Sequence, residues 1–306
     1  MDEDQEVICF LQKNLPQSDS ILVGCRADDD INVHECCEYN IISIDDSYSS
    51  KNNLSYCNEF SNGKQNTVFQ IRKLSPNELR ENQCIQFSNF VYYPGRFLKR
   101  MESNHFNQKN QIYHKSFRFR LRKEVFGNVC DLTYLINSLS KDSVDEGLIS
   151  FKLKMICLKT LRNYINSYLG KEHRPSHLKY QINSVIQKES LKVRERIDSI
   201  LETIGMHRAN ISTLVRSEKS LELIMRNDQS HTKKLFLNKL NFFKKNSMNV
   251  DGMLLIYNHL VDNFQEIEQA ASYKQLLRRT ADIDIKSKMT LEKEINLLLK
   301  INKQII

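Results

Sequence analysis

Glycine and proline are scarce: the chain has 8 Gly and 4 Pro in 306 residues, and no Trp. A turn-dense all-β architecture needs far more of both, and collagen-like or Pro-rich disordered chains are excluded on the same ground. No stretch approaches the roughly 18 consecutive apolar residues that span a bilayer. The eight Cys, at 9, 25, 36, 37, 57, 84, 130 and 157, contain no C-x-x-C. The paired thiolates of a zinc ribbon or finger are therefore missing, and the adjacent Cys36 and Cys37 are poorly placed to share one ion. Gly-rich phosphate loops, G-x-S-x-G and a locally supported Cys–His pair are also absent. The amino terminus, Met-Asp-Glu-Asp-Gln-Glu, is acidic where a secretory signal is basic and then apolar. These absences lead us to expect a cytoplasmic protein with reduced thiols and no membrane partner.

What is present is length, helix-forming composition and an uneven charge. Residues 1–70 hold 13 acids and 4 bases, a net of −9, so the remainder carries +17. Such a split suggests an acidic amino-terminal lobe and a basic remainder, and a basic surface is a candidate for polyanions such as RNA. Lysine-rich faces that simply keep helices soluble are the plainer reading, because no aromatic-interleaved RNA signature accompanies the charge.

Hydrophobic period places the elements. Val7, Ile8, Leu11 and Leu15 make one face of a helix over 3–15, stopped by Pro16. Ile21-Leu22-Val23 before Gly24, Tyr39 to Ile44, and Thr67 to Leu74 read as strands. The polar stretch 45–66 between the last two reads as a long loop. Ser75-Pro76-Asn77-Glu78 has the form of a helix start, with a helix to about Gln83. Phe87 to Tyr93 is an apolar run ending at Pro94-Gly95. Arg118, Arg120 and Arg122 alternate with Phe117, Phe119 and Leu121, which argues for a strand with one basic face. A helix continuing through Leu139 competes closely, since no breaker intervenes. Helices are expected over 144–169 with Gly170 as the terminating residue, from Pro175 to about 204, and over 210–226, 231–246, 251–279 and 285–304. The stripe Leu291, Ile295, Leu298, Ile301 or Asn302, and Ile305 suits a bundle core, with a docking helix as the alternative. The expected fold class is an α+β amino-terminal domain over 1–125, a small mixed sheet with flanking helices, followed by an all-α basic bundle over 126–306.

One succession of motifs stands out: the short strand ending at Val23, then Gly24-Cys25-Arg26-Ala27, an acidic loop, and Cys37-Glu38-Tyr39-Asn40 opening the next strand. It resembles the opening of the nucleotidyltransferase fold, shared by minimal archaeal and bacterial nucleotidyltransferases and polymerase-beta-like enzymes. In the family a strand ends in Gly-Ser, and Ser-Asp-x-Asp opens the next strand; a third carboxylate lies on a later strand. The resemblance places Gly24-Cys25 at Gly-Ser, Glu38 and Asn40 at the Asp pair, and Gln70 at the third carboxylate. It implies a nucleotide site at Gly24, Cys25 and Arg26. Two Asp separated by one residue face the same side of a strand and can hold one metal pair for attack on an α-phosphate. Here the set is Glu, Asn and Gln, and the serine hydroxyl has become a thiol. The resemblance therefore implies a nucleotide- or RNA-binding regulatory protein that has lost Mg²⁺-dependent transfer. An active enzyme would have to draw a second metal ligand, beside Glu38, from a nearby acid such as Asp45 or Asp46.

Other patterns point elsewhere. Arg226-Asn227-Asp228-Gln229-Ser230-His231 is similar to the Arg-x4-His motif of helical HEPN ribonucleases, where His acts as acid or base and Arg stabilises the phosphorane-like charge. A second copy, Arg100 to His105, lacks helical-bundle context. Asp28-Asp29-Asp30 lacks the spaced oxygens, Gly and distal Glu of a calcium loop and reads as a solvated loop. His173 and His177 have a metal-like spacing, but Pro175 between them argues for loop or cap positions. A helical protein-interaction scaffold is the remaining class.

Overall fold

The computed structural model describes residues 3–16, 18–28, 31–45, 54–61, 65–75, 91–93, 107–140, 145–226, 230–268 and 274–305. The chain divides into two compact units, Met1–Phe117 and Arg118–Ile306. This division falls within a helix, a little before the expected boundary at 125/126.

The first unit is built on a five-stranded sheet in the order β3-β4-β2-β1-β5. Helix α1 (Glu3–Asn14) precedes β1 (Asp19–Val23), β2 (Tyr39–Ile44), β3 (Leu54–Ser61), β4 (Gln65–Leu74) and β5 (Val91–Tyr93). Pairing is antiparallel between β1 and β2, β1 and β5, and β3 and β4, and parallel between β2 and β4. The stretch 45–66, expected to be a loop, contains all of β3. Its Leu54 to Ser61 run alternates too weakly to be read as a strand, and pairing with β4 supplies what the sequence pattern does not.

Period two sorts the strand residues onto two faces. Leu22, Tyr39, Ile41, Phe69, Ile71 and Tyr93 are buried with Val7, Phe10 and Leu11 of α1. Phe10 stacks on Phe69 with centroids 3.7 Å apart, and Tyr39 stacks on Phe69 at 4.8 Å. The Tyr39 hydroxyl donates to Glu6 Oε2 at 2.9 Å, so one contact set fixes both the height and the direction of α1. On the opposite face Ile21, Val23, Ile42 and Leu74 form a smaller apolar cluster. The helix expected over 75–83 lies outside the described residues beyond Ser75.

The second unit is helical. Its elements are α2 (Asn107–Leu139, beginning in the first unit), α3 (Glu146–Leu169), α4 (Leu178–Lys188), α5 (Leu191–Ile204), α6 (Ile211–Ile224), α7 (His231–Lys245), α8 (Asn249–Glu268), α9 (Lys274–Thr280) and α10 (Lys288–Asn302). Residues 118–122 are helical, not a strand. A short alternating run cannot outweigh a stretch with no Pro and a single Gly that is helical for 33 residues. The expected helix from Pro175 to 204 is two helices, because Glu189 takes an extended conformation between them. Gly170 ends α3 in the left-handed region at φ 65, as its position predicts.

The core runs through α3, whose Leu158, Leu161 and Ile165 have no exposure. Leu291, Ile295, Leu298 and Ile301 of α10 are buried in the same cluster. The α10 stripe is thus bundle core, and the docking role considered for it does not hold. Asn302 joins that core as a polar pin, donating to Thr160 Oγ1 at 2.9 Å and to the Leu298 carbonyl at 2.9 Å. No described helix is long and apolar enough to cross a membrane.

Candidate functional site

The parallel pairing of β2 with β4 sets Asn40 directly opposite Gln70, while β1 sets Val23 opposite Asn40. Asn40 and Gln70 have the same parity as Ile42 and Leu74, so they lie on the sheet face opposite α1. Gly24 follows Val23 with φ 90 and ψ −157, a conformation that L side chains rarely adopt. A Cβ at this position would lie 2.9 Å from Asn40 Nδ2. Three positions far apart in sequence therefore meet in one row across the sheet: 24 just past the end of β1, 40 near the start of β2 and 70 in the middle of β4. The sequence resemblance placed the same three in one site.

Their chemistry is polar and uncharged. Each amide of Asn40 and Gln70 offers one carbonyl acceptor and two N–H donors. Such groups can donate to phosphate oxygens and accept from ribose or base N–H and O–H groups. They do not fit a metal pair, which takes its stability from three convergent carboxylates. Glu38, two residues before Asn40 and half-buried, is the one acid among the positions that the resemblance assigned. Asp45 cannot be the second. It lies past the far end of β2, roughly 16 Å from Asn40 at about 3.3 Å per residue, and accepts from Ser18 Oγ at 3.4 Å. Asp46 lies outside the described residues. The transferase alternative built on Asp45 loses its metal site.

Cys25 and Arg26 belong to a single turn of 3-10 helix, Cys25–Ala27. Arg26 Nε donates to the Cys37 carbonyl at 3.0 Å, and its guanidinium carbon sits 4.0 Å above the Tyr39 ring. Arg26 thereby holds the segment leading into β2, which carries Glu38 and Asn40, against the sheet. Asp28 is buried, at 3 % exposure, and the solvated-loop expectation fails for it; Asp29 and Asp30 lie outside the described residues. Arg72 was missed by the sequence reading. It is exposed, paired with Ile42 and two residues beyond Gln70 on the same face. The period-two rule applied to Phe69-Gln70-Ile71-Arg72 could have found it.

The basic trio does not form one face. On a helix Arg118 and Arg122 are one turn apart, and Arg120 points about 200° away from either. Arg118 and Arg122 are exposed, while Arg120 is held 2.8 Å from Glu172 Oε1. Arg226 and His231 lie at exposed positions after α6 and at the start of α7, with 227–229 outside the described residues. Arg100 and His105 also lie outside them. His177 occupies the N-cap position of α4 and His173 lies in the loop before it, as Pro175 implied, but both are buried. Burial, with Arg162 and Arg174 nearby, holds the His173 imidazole well below its usual pKa and so neutral.

Sequence reasoning also missed a charge network that runs from the buried Lys154 to the surface of the second unit. Lys154 Nζ donates to the Tyr257 hydroxyl at 2.9 Å and to the Asp282 carbonyl at 3.3 Å. Arg208 donates to the Asp282 carboxylate at 3.1 Å and to its carbonyl at 3.0 Å, and Arg216 pairs with the other Asp282 oxygen. Lys286 Nζ donates to Glu294 Oε1 at 2.6 Å. Lys154, Arg208, Lys286 and Glu294 line a cavity of about 10 Å³. That is room for one water and no more, so the network is a structural device and not a ligand pocket. Its sequence signal is a lysine inside the apolar run around Leu153 and Met155.

Comparison of the chain with family models, with curated proteins and with solved structures found no match.

Two outcomes follow from this geometry. Gly24→Ala is expected to destabilise the sheet unit by about 1–3 kcal/mol in urea unfolding, and an unchanged midpoint would contradict the strained backbone. Burial pushes the Lys154 ammonium down from 10.5 to about 7. Between those values the unfolded chain binds a proton that the folded chain lacks, so stability rises with pH from about 7 towards 10.5 and is lowest below 7. Lys154→Met is expected to remove that rise and to raise the melting temperature at pH 6.5. Persistence of the full slope in Lys154→Met would show that another group carries it.

Proposed function

We propose that the first unit is a nucleotide-binding regulatory domain of nucleotidyltransferase type that no longer performs Mg²⁺-dependent transfer. The observation that carries the reading is the meeting of Gly24, Asn40 and Gln70 in one row across β1, β2 and β4. The order of elements supports it as well: helix, strand, glycine turn, antiparallel strand, then a later strand parallel to the second. A fold of this shape without the carboxylates keeps the hydrogen-bonding half of a nucleotide site and lacks the half that neutralises metal charge. Arg72, exposed beside Gln70, supplies a cation on that face suited to a phosphate. The basic second unit would add an RNA or protein partner, reached through exposed Arg118 and Arg122 among other cations.

In this reading the residues bind and position, and no bond is made or broken. Asn40 and Gln70 donate to and accept from the nucleotide. Arg26 keeps the Glu38 segment in place. The test is a thermal-shift titration with ATP, CTP, GTP and UTP, each with and without Mg²⁺. Saturable stabilisation by at least one nucleotide without Mg²⁺, weakened in Arg72→Ala and Gln70→Leu, is the expected result. Stabilisation that requires Mg²⁺ would revive an active transferase, and no shift with any nucleotide would remove the nucleotide reading.

A further inference from the structure

The exposed side of α6 carries a groove that serves neither the bundle core nor the sheet site. It runs between α6 and the short helix α9 as an open, shallow depression of about 640 Å³. Its apolar lining is aliphatic: half-buried Val215 from α6 and Leu276 from α9 form the floor, and Ile211 and Leu223 of α6 flank it. Ile211 and Leu223 are 48 % and 54 % exposed, unusual for side chains of this size flanking one depression. The rim is cationic: Arg216, Lys219 and Arg279 line it, and among the described residues no acid does. Asp282 fixes the Arg216 guanidinium at one end of the row. Lys219 and Arg279 are exposed, and neither has an ion-pair partner among the described residues.

We propose that this groove docks an acidic amphipathic helix of a partner protein. Length, floor and rim each select that occupant. Ile211 and Leu223 are 12 residues apart on one helix, about 18 Å, which matches roughly three turns of a helix laid alongside. A helix of that length presents apolar anchors at i, i+4, i+7 and i+11 on one stripe, which the aliphatic floor can receive. Acidic residues flanking the stripe would meet the rim cations, of which Lys219 and Arg279 are not already neutralised. A single-stranded nucleic acid would match the charge but not the floor. Base recognition without pairing relies on aromatic platforms, and none of the described residues lining the groove is aromatic. A lipid surface is flat on this scale: it would touch the exposed Ile211 and Leu223 but leave the half-buried Val215 and Leu276 between the helices without a partner. This surface is independent of the nucleotide reading and lies in the other unit.

The test uses the full chain and a fluorescein-labelled 18-residue helical peptide with Leu at i, i+4, i+7 and i+11 and Glu on its other faces. A matched peptide with Lys in place of Glu is the control, and binding is read by fluorescence anisotropy. The acidic peptide is expected to bind saturably and at least tenfold more tightly than the basic one, and to weaken as salt rises. Leu223→Asp and the double variant Lys219→Glu/Arg279→Glu should each weaken it about tenfold or more, whereas Lys300→Glu on exposed α10 surface should leave it unchanged. All the substituted side chains are exposed, and a circular dichroism melt confirms that each variant is folded. Equal affinity for the two peptides, insensitivity to both groove variants, or displacement of the acidic peptide by an equimolar single-stranded RNA 12-mer would each overturn the proposal.

Discussion

The register of β2 between β1 and β4 is the constraint on which the first unit depends. Side chains alternate with a period of two, so a slip of one residue would drive Asn40 under α1 and turn Tyr39 and Ile41 outward. The stack of Phe10, Phe69 and Tyr39, closed by the Tyr39–Glu6 hydrogen bond, forbids that slip. Those contacts sit on one face of the sheet, yet they decide what the other face can do. With Tyr39 fixed, Asn40 must face away from α1; with the parallel ladder fixed, Gln70 must lie beside it. Gly24 then completes the row because any side chain there would press on the Asn40 amide. Packing on one side therefore delivers chemistry on the other.

The second unit solves a different problem. Its helices bury a continuous aliphatic core, and the segment between α9 and α10 must cross that core's edge with its backbone carbonyls satisfied. Asp282, at a positive φ of 48, turns the chain there and collects Lys154, Arg208 and Arg216 on its carbonyl and carboxylate. Desolvating a lysine costs stability unless it sheds its proton, and the Lys154 amine is held near neutrality for that reason. A leucine would fill the same space with no charge to desolvate; the Asp282 carbonyl would keep its bond from Arg208, and the Tyr257 hydroxyl would lose the donor that Lys154 supplies. We read the network as fixing the path of the chain between α9 and α10 more than as adding to stability.

Much of this was legible in the sequence because it depends on local pattern. The strand Tyr39–Ile44 and the helices α3, α6 and α7 follow from apolar period, caps and Gly170. The grouping of positions 24, 40 and 70 followed from the order of motifs that the nucleotidyltransferase resemblance supplied, not from any local pattern around Gln70. What failed depended on distant partners. β3 is a strand because β4 pairs with it, and nothing in Leu54 to Ser61 announces that. The Arg118–Arg122 alternation is a chance period-two pattern within a long helix. Asp45 looked near Glu38 in sequence, but an extended strand carries it to the opposite end of the sheet. The Lys154 network and the α6–α9 groove join helices that lie far apart in the chain, and no single-sequence pattern encodes that pairing.

The central claim is that neutral amides at 40 and 70 leave a nucleotide site without a metal requirement. Calorimetric titration of the best-stabilising nucleoside triphosphate into the protein and into Asn40→Asp/Gln70→Asp, each with and without Mg²⁺, tests it most directly. The account predicts an affinity indifferent to Mg²⁺ in the unmodified chain and one that requires Mg²⁺ once the carboxylates are introduced. A Mg²⁺ requirement already present in the unmodified chain, or its absence in both proteins, would contradict it.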